Sequence, residues 1–379
     1  MVTKTKGMSE LFKEVINKDL CALCGACIGD CPYTVFYRGK IRMLDLCTRE
    51  EGHCYEYCPR THTDLDAINN KLFGVPFSGA EIGSVKEVFM ARSKDAKVRS
   101  AAQYGGTVTS LLLLALETGL INAAITTKTG DDKLPAASLA RSAAEVMSGA
   151  GSSYMAYPVL EALNRMPKDS QDSLGIVVTP CQAIALARMR LDPPKQRAGL
   201  DNLRLSIGLF CTWALAYDRF YEFLKNNLDL PKVKKFDIPP PPANRFDVYI
   251  GKEVKSFPLD EVRKYRMPTC AYCLDMTAEF TDISVGSVEG VEGWNTVIVR
   301  TQRGAELIAE AKKKGKLEIK ELPAQSLAHL KEAAFNKKAR GVQEIVKKTG
   351  DKNDLMYLGI SNSLKEKLLG HKVGVQGGH

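Results

Sequence analysis

The chain has 379 residues, a formal net charge of +9, 45% hydrophobic and 26% charged residues, the composition of a globular protein with a sizeable core and room for two or three domains. Its longest apolar stretch, Val108 to Leu116, contains two hydroxyl residues and falls far short of the ~20 residues that cross a bilayer; with no apolar leader core near the start, a cytoplasmic protein without a membrane span, or one peripheral to a membrane complex, is expected. The positive balance suits an acidic ligand or partner, but no basic run is interleaved with aromatics as a nucleic-acid site requires, and Lys312-Lys313-Lys314 reads as the solvated face of a helix.

Residues 8–18 carry apolar positions at helical spacing and lead into the densest chemistry of the sequence. Cys21, Cys24, Cys27 and Cys31 stand in the pattern C-x2-C-x2-C-x3-C-P, followed by Cys47, Cys54 and Cys58-Pro59. The first run is the iron–sulfur signature of bacterial ferredoxins, in which three thiolates wrap one cluster and the fourth reaches a neighbour. Ala22, Gly25 and Ala26 let the backbone curl close to an inorganic core. The cross-over rule assigns Cys21, Cys24, Cys27 and Cys58 to one [4Fe–4S] cluster. Cys31, Cys47 and Cys54 then form a second set, one ligand short; Glu50, Glu51 and His53 are candidates to complete it, and a labile or three-iron cluster is the alternative. Zinc ribbons also use C-x2-C pairs, but four cysteines within eleven residues and two Cys-Pro endings favour clusters. A disulfide framework suits neither the chain length nor a reducing compartment.

An amphipathic helix around Leu65–Leu72 closes this segment near residue 75, and Pro76 and Gly79 mark a linker. From Val85 strands and helices alternate: a strand at Val88–Ala91, a helix over Thr107–Thr118 opened by Gly105-Gly106, and a strand at Ala123–Thr126. Helical patterns follow over 139–147 and 157–165, then a buried strand from Gly175 to Thr179, a helix over 182–190 and a strand over Leu203–Phe210. Pro239 to Pro242 reads as a stiff connector, Asp247 to Phe257 as a hairpin turning at Gly251-Lys252, and 302–315 and 324–348 as charged helices before a frayed tail. This alternation predicts α/β or α+β packing around a mixed sheet.

Four cysteines remain. Cys181 and Cys211 follow strand ends, and Cys270 and Cys273 form C-x2-C. Loops gather at strand ends, so the four can converge on a third cluster, although buried free cysteines are also common in cores. Several clusters make a one-electron wire, and a flavin is the usual converter from hydride chemistry to single electrons. No Rossmann fingerprint or P-loop is present. Candidate flavin contacts are therefore sought at Gly105 to Thr109, where a helix start offers free amides to phosphate, at Gly149 to Tyr154, and around Gly286-Ser287.

Taken together, Ala91-Arg92-Ser93, Gln103 to Thr109, Thr179-Pro180-Cys181-Gln182, Gly208 to Cys211, Cys270 to Asp275, Ala278 to Ser287 and Gly293 to Thr301 resemble the coenzyme F420 hydrogenase/dehydrogenase beta-subunit family, in the form with an N-terminal two-cluster segment. The resemblance implies an α+β protein: a ferredoxin-like domain over 1–75, a flavin- and cluster-binding domain with a mixed sheet over 84–322, and a helical extension over 323–379. It implies FAD beside a [4Fe–4S] cluster, two to three clusters in all, and coenzyme F420 as substrate. Cys181, Cys211, Cys270 and Cys273 are then ligands of the cluster nearest the flavin. Gly105, Gly106, Thr107, Thr109, Ser152, Ser153, Tyr154, Gln182 and Ser287 are then flavin contacts, with no acid–base triad. The implied partners are a hydrogenase, formate dehydrogenase or heterodisulfide-reductase-like subunit, with ferredoxin as a further candidate. The alternatives are a ferredoxin-dependent flavin reductase of another small molecule and a non-catalytic electron relay.

Overall fold

The computed structural model describes residues 6–130, 132–193, 198–239 and 243–374. Eight strands form one mixed sheet: β1 (Glu87–Ser93), β2 (Ala123–Thr129), β3 (Pro135–Ala140), β4 (Leu174–Val178), β5 (Leu203–Leu209), β6 (Ile283–Ser287), β7 (Asn295–Val299) and β8 (Leu317–Lys320). Their spatial order is β8-β1-β7-β6-β5-β4-β2-β3. The centre, β2, β4, β5 and β6, is parallel, while β3 on one flank and β7, β1 and β8 on the other pair antiparallel. Parallel strands covered on both faces need apolar residues at nearly every position, which is why Leu174 to Val178 carries no polar side chain; Leu203 to Leu209 instead alternates, with Arg204 exposed and Ser206 buried.

Helices α1 (Thr107–Glu117) and α3 (Gln302–Lys313) cover one face, packing Leu111, Leu112, Leu307 and Ile308 onto Ile207, Val285 and Val297. Helix α2 (Pro180–Leu191) covers the other, with Ile184, Leu186 and Met189 against Ile125, Ile176 and Val178. Tyr57, Leu65 and Ile68 of the cysteine-rich segment join that same core, so the segment is packed onto the sheet domain. It comprises a short helix (Met8–Leu11) running into a π-helix (Phe12–Ile16), a hairpin (Thr34–Tyr37 with Lys40–Met43) and a helix (Leu65–Phe73). A smaller three-stranded sheet (Val233–Asp237, Arg245–Ile250, Glu253–Pro258) has its own core of Phe220, Phe236, Phe246 and Val262. Helix α4 (Ala324–Thr349) packs Ala339, Val342 and Ile345 with Leu274, Leu355 and Tyr357, and beyond it Leu358–Gly359 pairs in parallel with Thr63–Asp64.

The mixed α+β architecture and the helical C-terminal end match the expectation. The helical reading of 139–147 does not: Pro135–Ala140 is strand β3 and the helix is only Ala143–Ser148. Alanine and leucine at 136–140 suit either state locally, and pairing with β2 decides it. Strand β8 and the helix Asn362–Gly370 were not read from the sequence. Of the expected proline connector, Pro240, Pro241 and Pro242 lie outside the described residues, as do residues 375–379 of the expected tail. No described helix is long and apolar enough to cross a membrane.

Candidate functional site

Ligands of α/β sheets bind at the carboxyl ends of parallel strands, and here those ends open into a cavity of about 920 Å³, near the upper end of the range for small-molecule sites. β2 contributes Thr126 and Thr127, β4 leads into Thr179 and Cys181, β5 into Phe210 and Cys211, and β6 ends at Ser287. The small sheet closes the outer side with Lys235, Phe236 and Tyr249.

One wall is the start of α1. Gly106 adopts φ +74° as its N-cap, a left-handed conformation that favours glycine. Asn295 Oδ1 accepts from the Thr107 amide at 3.2 Å, and its Nδ2 donates to the Gly286 carbonyl at 3.1 Å, fixing the helix start to strand β6. The first-turn amides of Val108 and Thr109 have no intrahelical acceptor. Gly106, Thr107 and Thr109 line the cavity; Gly105 does not. Its missing side chain makes room for Asn295 Oδ1, 2.7 Å from where a Cβ would stand, so the second glycine serves the ligand wall and the first serves packing.

The opposite wall carries Ser152, Ser153 and Tyr154. Tyr154 sits at φ +61°, held there by Leu215, whose amide donates to the Tyr154 carbonyl at 2.8 Å. The Tyr154 hydroxyl accepts from the Ile238 amide at 3.1 Å, and burial pushes the phenol's pKa well up. Ser287 borders the floor. Gln182 also lines the cavity, but Thr179 N donates to its Oε1 at 2.8 Å and its Nε2 donates to the Tyr157 carbonyl at 2.8 Å. It closes a capping box with Pro180 in the first turn, thereby setting the turn that presents Cys181. Two cavity residues that sequence reasoning left without a role are Thr126 and Gln103: Thr126 Oγ1 and Gln103 Oε1 are buried without a hydrogen-bond partner. Orphaned polar atoms in a cavity wall are what a polar ligand leaves behind.

The eleven cysteines are all free thiols and gather in three sets. Cys21, Cys24, Cys27 and Cys58 act on one another electrostatically; Cys54 is flanked by Cys31 and Cys47; Cys181, Cys211, Cys270 and Cys273 share one pocket wall and one another's fields. The sets stand in line. Cys21 and Cys24 feel Cys181, whose thiol reaches the Ala22 carbonyl at 3.9 Å, while Cys27 feels Cys54. Burial pushes Cys21 and Cys54 up to about 12 and Cys270 up to about 11, which favours the neutral thiol. Among the described residues no three ligating side chains close around a single ion; a cubane binds each thiolate to a different iron, a wider arrangement. Glu50, Glu51 and His53 are not drawn into the second set by any described bond: His53 Nδ1 lies 3.3 Å from Asp30 Oδ2, and the ring stacks on Tyr57.

Two buried cations flank the third set. Arg60, directly after Cys58-Pro59, donates to Thr269 Oγ1 at 2.9 Å and to the Tyr357 hydroxyl, and faces Cys181 and Cys273. Lys337 donates to the Cys211 carbonyl at 2.6 Å. Burial alone would raise Cys273, but Lys337 and Arg60 outweigh it and hold this thiol below its ordinary value. Neither cation has a sequence motif, and both lie far in sequence from the third set that they face.

Comparison with known proteins gives a family and several relatives. Residues 88–164 match the N-terminal part of the family described as coenzyme F420 hydrogenase/dehydrogenase, beta subunit, and 171–325 match that family's C-terminal part. The coenzyme F420 hydrogenase beta subunit of Methanothermobacter thermautotrophicus is 32% identical over 63% of this chain and 85% of its own length. One subunit of the F(420)H(2) dehydrogenase of Methanosarcina mazei is 32% identical over 78% of this chain and 84% of its own. A coenzyme F420-dependent sulfite reductase of Methanocaldococcus jannaschii is 30% identical over 88% of this chain, which spans 52% of that protein. A chain of the F420-reducing [NiFe] hydrogenase complex from Methanosarcina barkeri superposes with a TM-score of 0.67 at 28% identity, covering 75% of this chain and 98% of its own. The chain belongs to the coenzyme F420 hydrogenase/dehydrogenase beta-subunit family.

Proposed function

We infer that this chain is the flavin- and iron–sulfur-carrying subunit of an F420-linked oxidoreductase, exchanging hydride equivalents with the deazaflavin and passing single electrons to or from a partner enzyme. The observation that carries the reading is one cavity whose walls hold a helix start, two orphaned polar atoms and the four cysteines 181, 211, 270 and 273. Relatives named for F420 support the substrate.

The residues fit FAD. The amides of Val108 and Thr109 suit its phosphates, and Thr126 and Gln103 suit polar edges of a ring or ribityl chain. A bound flavin supplies the exchange between hydride and one-electron chemistry that no side chain here can perform. The chain's own residues do the rest. Lys133, Lys234 and Lys235 at the mouth attract an anionic coenzyme. Phe210 and Trp213 shield the inner wall from water. The three cysteine sets, in the order given above, would lead electrons from the cavity through 21, 24, 27 and 58 to 31, 47 and 54. Around the last set Tyr37, Leu44 and Leu46 are 55%, 66% and 76% exposed; apolar side chains left uncovered there suit a protein partner, of the hydrogenase, formate dehydrogenase, sulfite reductase or heterodisulfide-reductase kind.

Cofactor inventory tests the reading. Anaerobically purified or reconstituted protein is expected to release one FAD per chain and to contain iron for at least two clusters, and a Gly106→Val variant is expected to lose flavin while keeping its iron. Iron without flavin in the parent protein would reduce the chain to a relay.

A further inference from the structure

Helix α4 begins at Ala324, where the family match ends at residue 325, and it reads from the sequence as an appendage. The structure makes it part of the redox site. Lys337 and Lys338 are 3% and 1% exposed, and their surroundings differ. Lys338 has a carboxylate partner, Glu279. Lys337 has none among the described ion pairs; its ammonium donates to the Cys211 carbonyl and faces Cys273, Cys211 and Cys270, with Asp275 beyond. The Asp275 carboxylate is already engaged by the amides of Thr277 and Glu279, at 2.9 and 2.8 Å. One turn on, Gly341 stands where a Cβ would lie 3.0 Å from the Cys273 carbonyl. A glycine in a helix interior costs about 1 kcal/mol against alanine, and here it lets α4 approach the cysteine loop closely enough for Lys337 to reach.

We propose that Lys337 is the built-in countercharge of the cluster held by Cys181, Cys211, Cys270 and Cys273, and that it raises that cluster's reduction potential. The inference rests on the reading that these cysteines hold a cluster. Each one-electron reduction adds a negative charge to an already anionic, buried centre. A fixed cation a few ångströms away stabilises the reduced form more than the oxidised one, so the cluster accepts electrons at a less negative potential. Arg60, on the other side, faces both this set and the neighbouring one; Lys337 faces this set alone among the described electrostatic contacts, so its removal is expected to move one cluster selectively.

The test is an EPR-monitored potentiometric titration of the reconstituted full chain, comparing the parent with Lys337→Met, Lys337→Arg and the exposed control Lys347→Met. In Lys337→Met the reduced-to-oxidised ratio of one cluster at a fixed applied potential is expected to fall at least tenfold, which is ~59 mV for one electron. Lys337→Arg and Lys347→Met are expected to stay within threefold of the parent. Titrations of Lys337→Met that superpose on the parent at full iron content overturn the proposal. If Lys337→Met does not assemble the cluster, retention in Lys337→Arg supports a charge requirement and loss in both overturns it in favour of a packing role. A Cys211→Ser variant with unchanged iron content would instead sink the underlying cluster assignment.

Discussion

Replacing Lys338 by methionine gives a stability change whose sign depends on pH. Glu279 and Lys338 are both buried and paired, yet Glu279 Oε2 is buried with no hydrogen-bond partner. Burial pushes the Glu279 carboxyl from 4.5 to about 7, with Lys338 pulling it down and Asp275 pushing it up. A carboxyl raised in the folded state contributes most below its unfolded value and loses that contribution as pH rises to the folded value. From 4.5 to about 7, at 1.36 kcal/mol per pH unit, the loss is roughly 3 kcal/mol, level above pH 7. Without Lys338 the folded value climbs further, so the penalty keeps growing past pH 7 by about 1.4 kcal/mol per unit. At pH 5.5 both proteins hold Glu279 protonated, and methionine avoids burying an ammonium. Hydrogen exchange across residues 324–349, corrected for intrinsic rates, reads the local opening free energy without requiring reversible loss of cofactors. Lys338→Met is expected to match or exceed the parent's protection at pH 5.5 and to fall progressively below it above pH 7. A difference that does not change with pH would refute the buried-pair argument.

Other consequences are simpler. Gly208→Ala places a Cβ well inside van der Waals contact of the Ala278 Cβ, between β5 and the loop before β6, and overpacking there is expected to cost about 1–3 kcal/mol in chemical unfolding. Thr126→Val removes an orphaned buried hydroxyl; the flavin-free protein should unfold no more easily, while FAD dissociates about tenfold more readily, the worth of roughly one hydrogen bond, as read by fluorescence on flavin release. Cys54→Ser is expected to abolish the EPR signal of the outermost cluster and electron delivery to an external acceptor, with cavity flavin content unchanged.

The grouping of the cysteines could be anticipated from their spacing, which needs no knowledge of the fold, and the structure brings the same residues near one another. The parallel core was legible in part for a similar reason: Leu174 to Val178 is apolar on both faces, and Leu203 to Leu209 alternates Leu, Leu, Ile and Leu with Arg204, Ser206 and Gly208. What the local sequence hides is convergence. Asn295, Thr126, Arg60 and Lys337 reach the site from four distant segments, and none carries a pattern that distinguishes it from an ordinary polar or basic residue. The two glycines at 105 and 106 look equivalent in the sequence, yet one packs against Asn295 and the other shapes the cavity wall. Gln182 stands at capping-box spacing from Thr179, a local pattern, whereas its second bond, to the Tyr157 carbonyl, depends on the fold. Strand β3 was misread since its small residues carry little periodicity and the pairing with β2 supplies the preference.

The most direct test of the central claim is an anaerobic titration of the reconstituted chain with reduced F420, following flavin absorbance and cluster EPR in the same samples. The account predicts that flavin bleaches with F420H2 and that cluster signals develop with it, whereas NADH and NADPH leave both unchanged. Flavin that bleaches only with reduced ferredoxin, and not with F420H2, would contradict it.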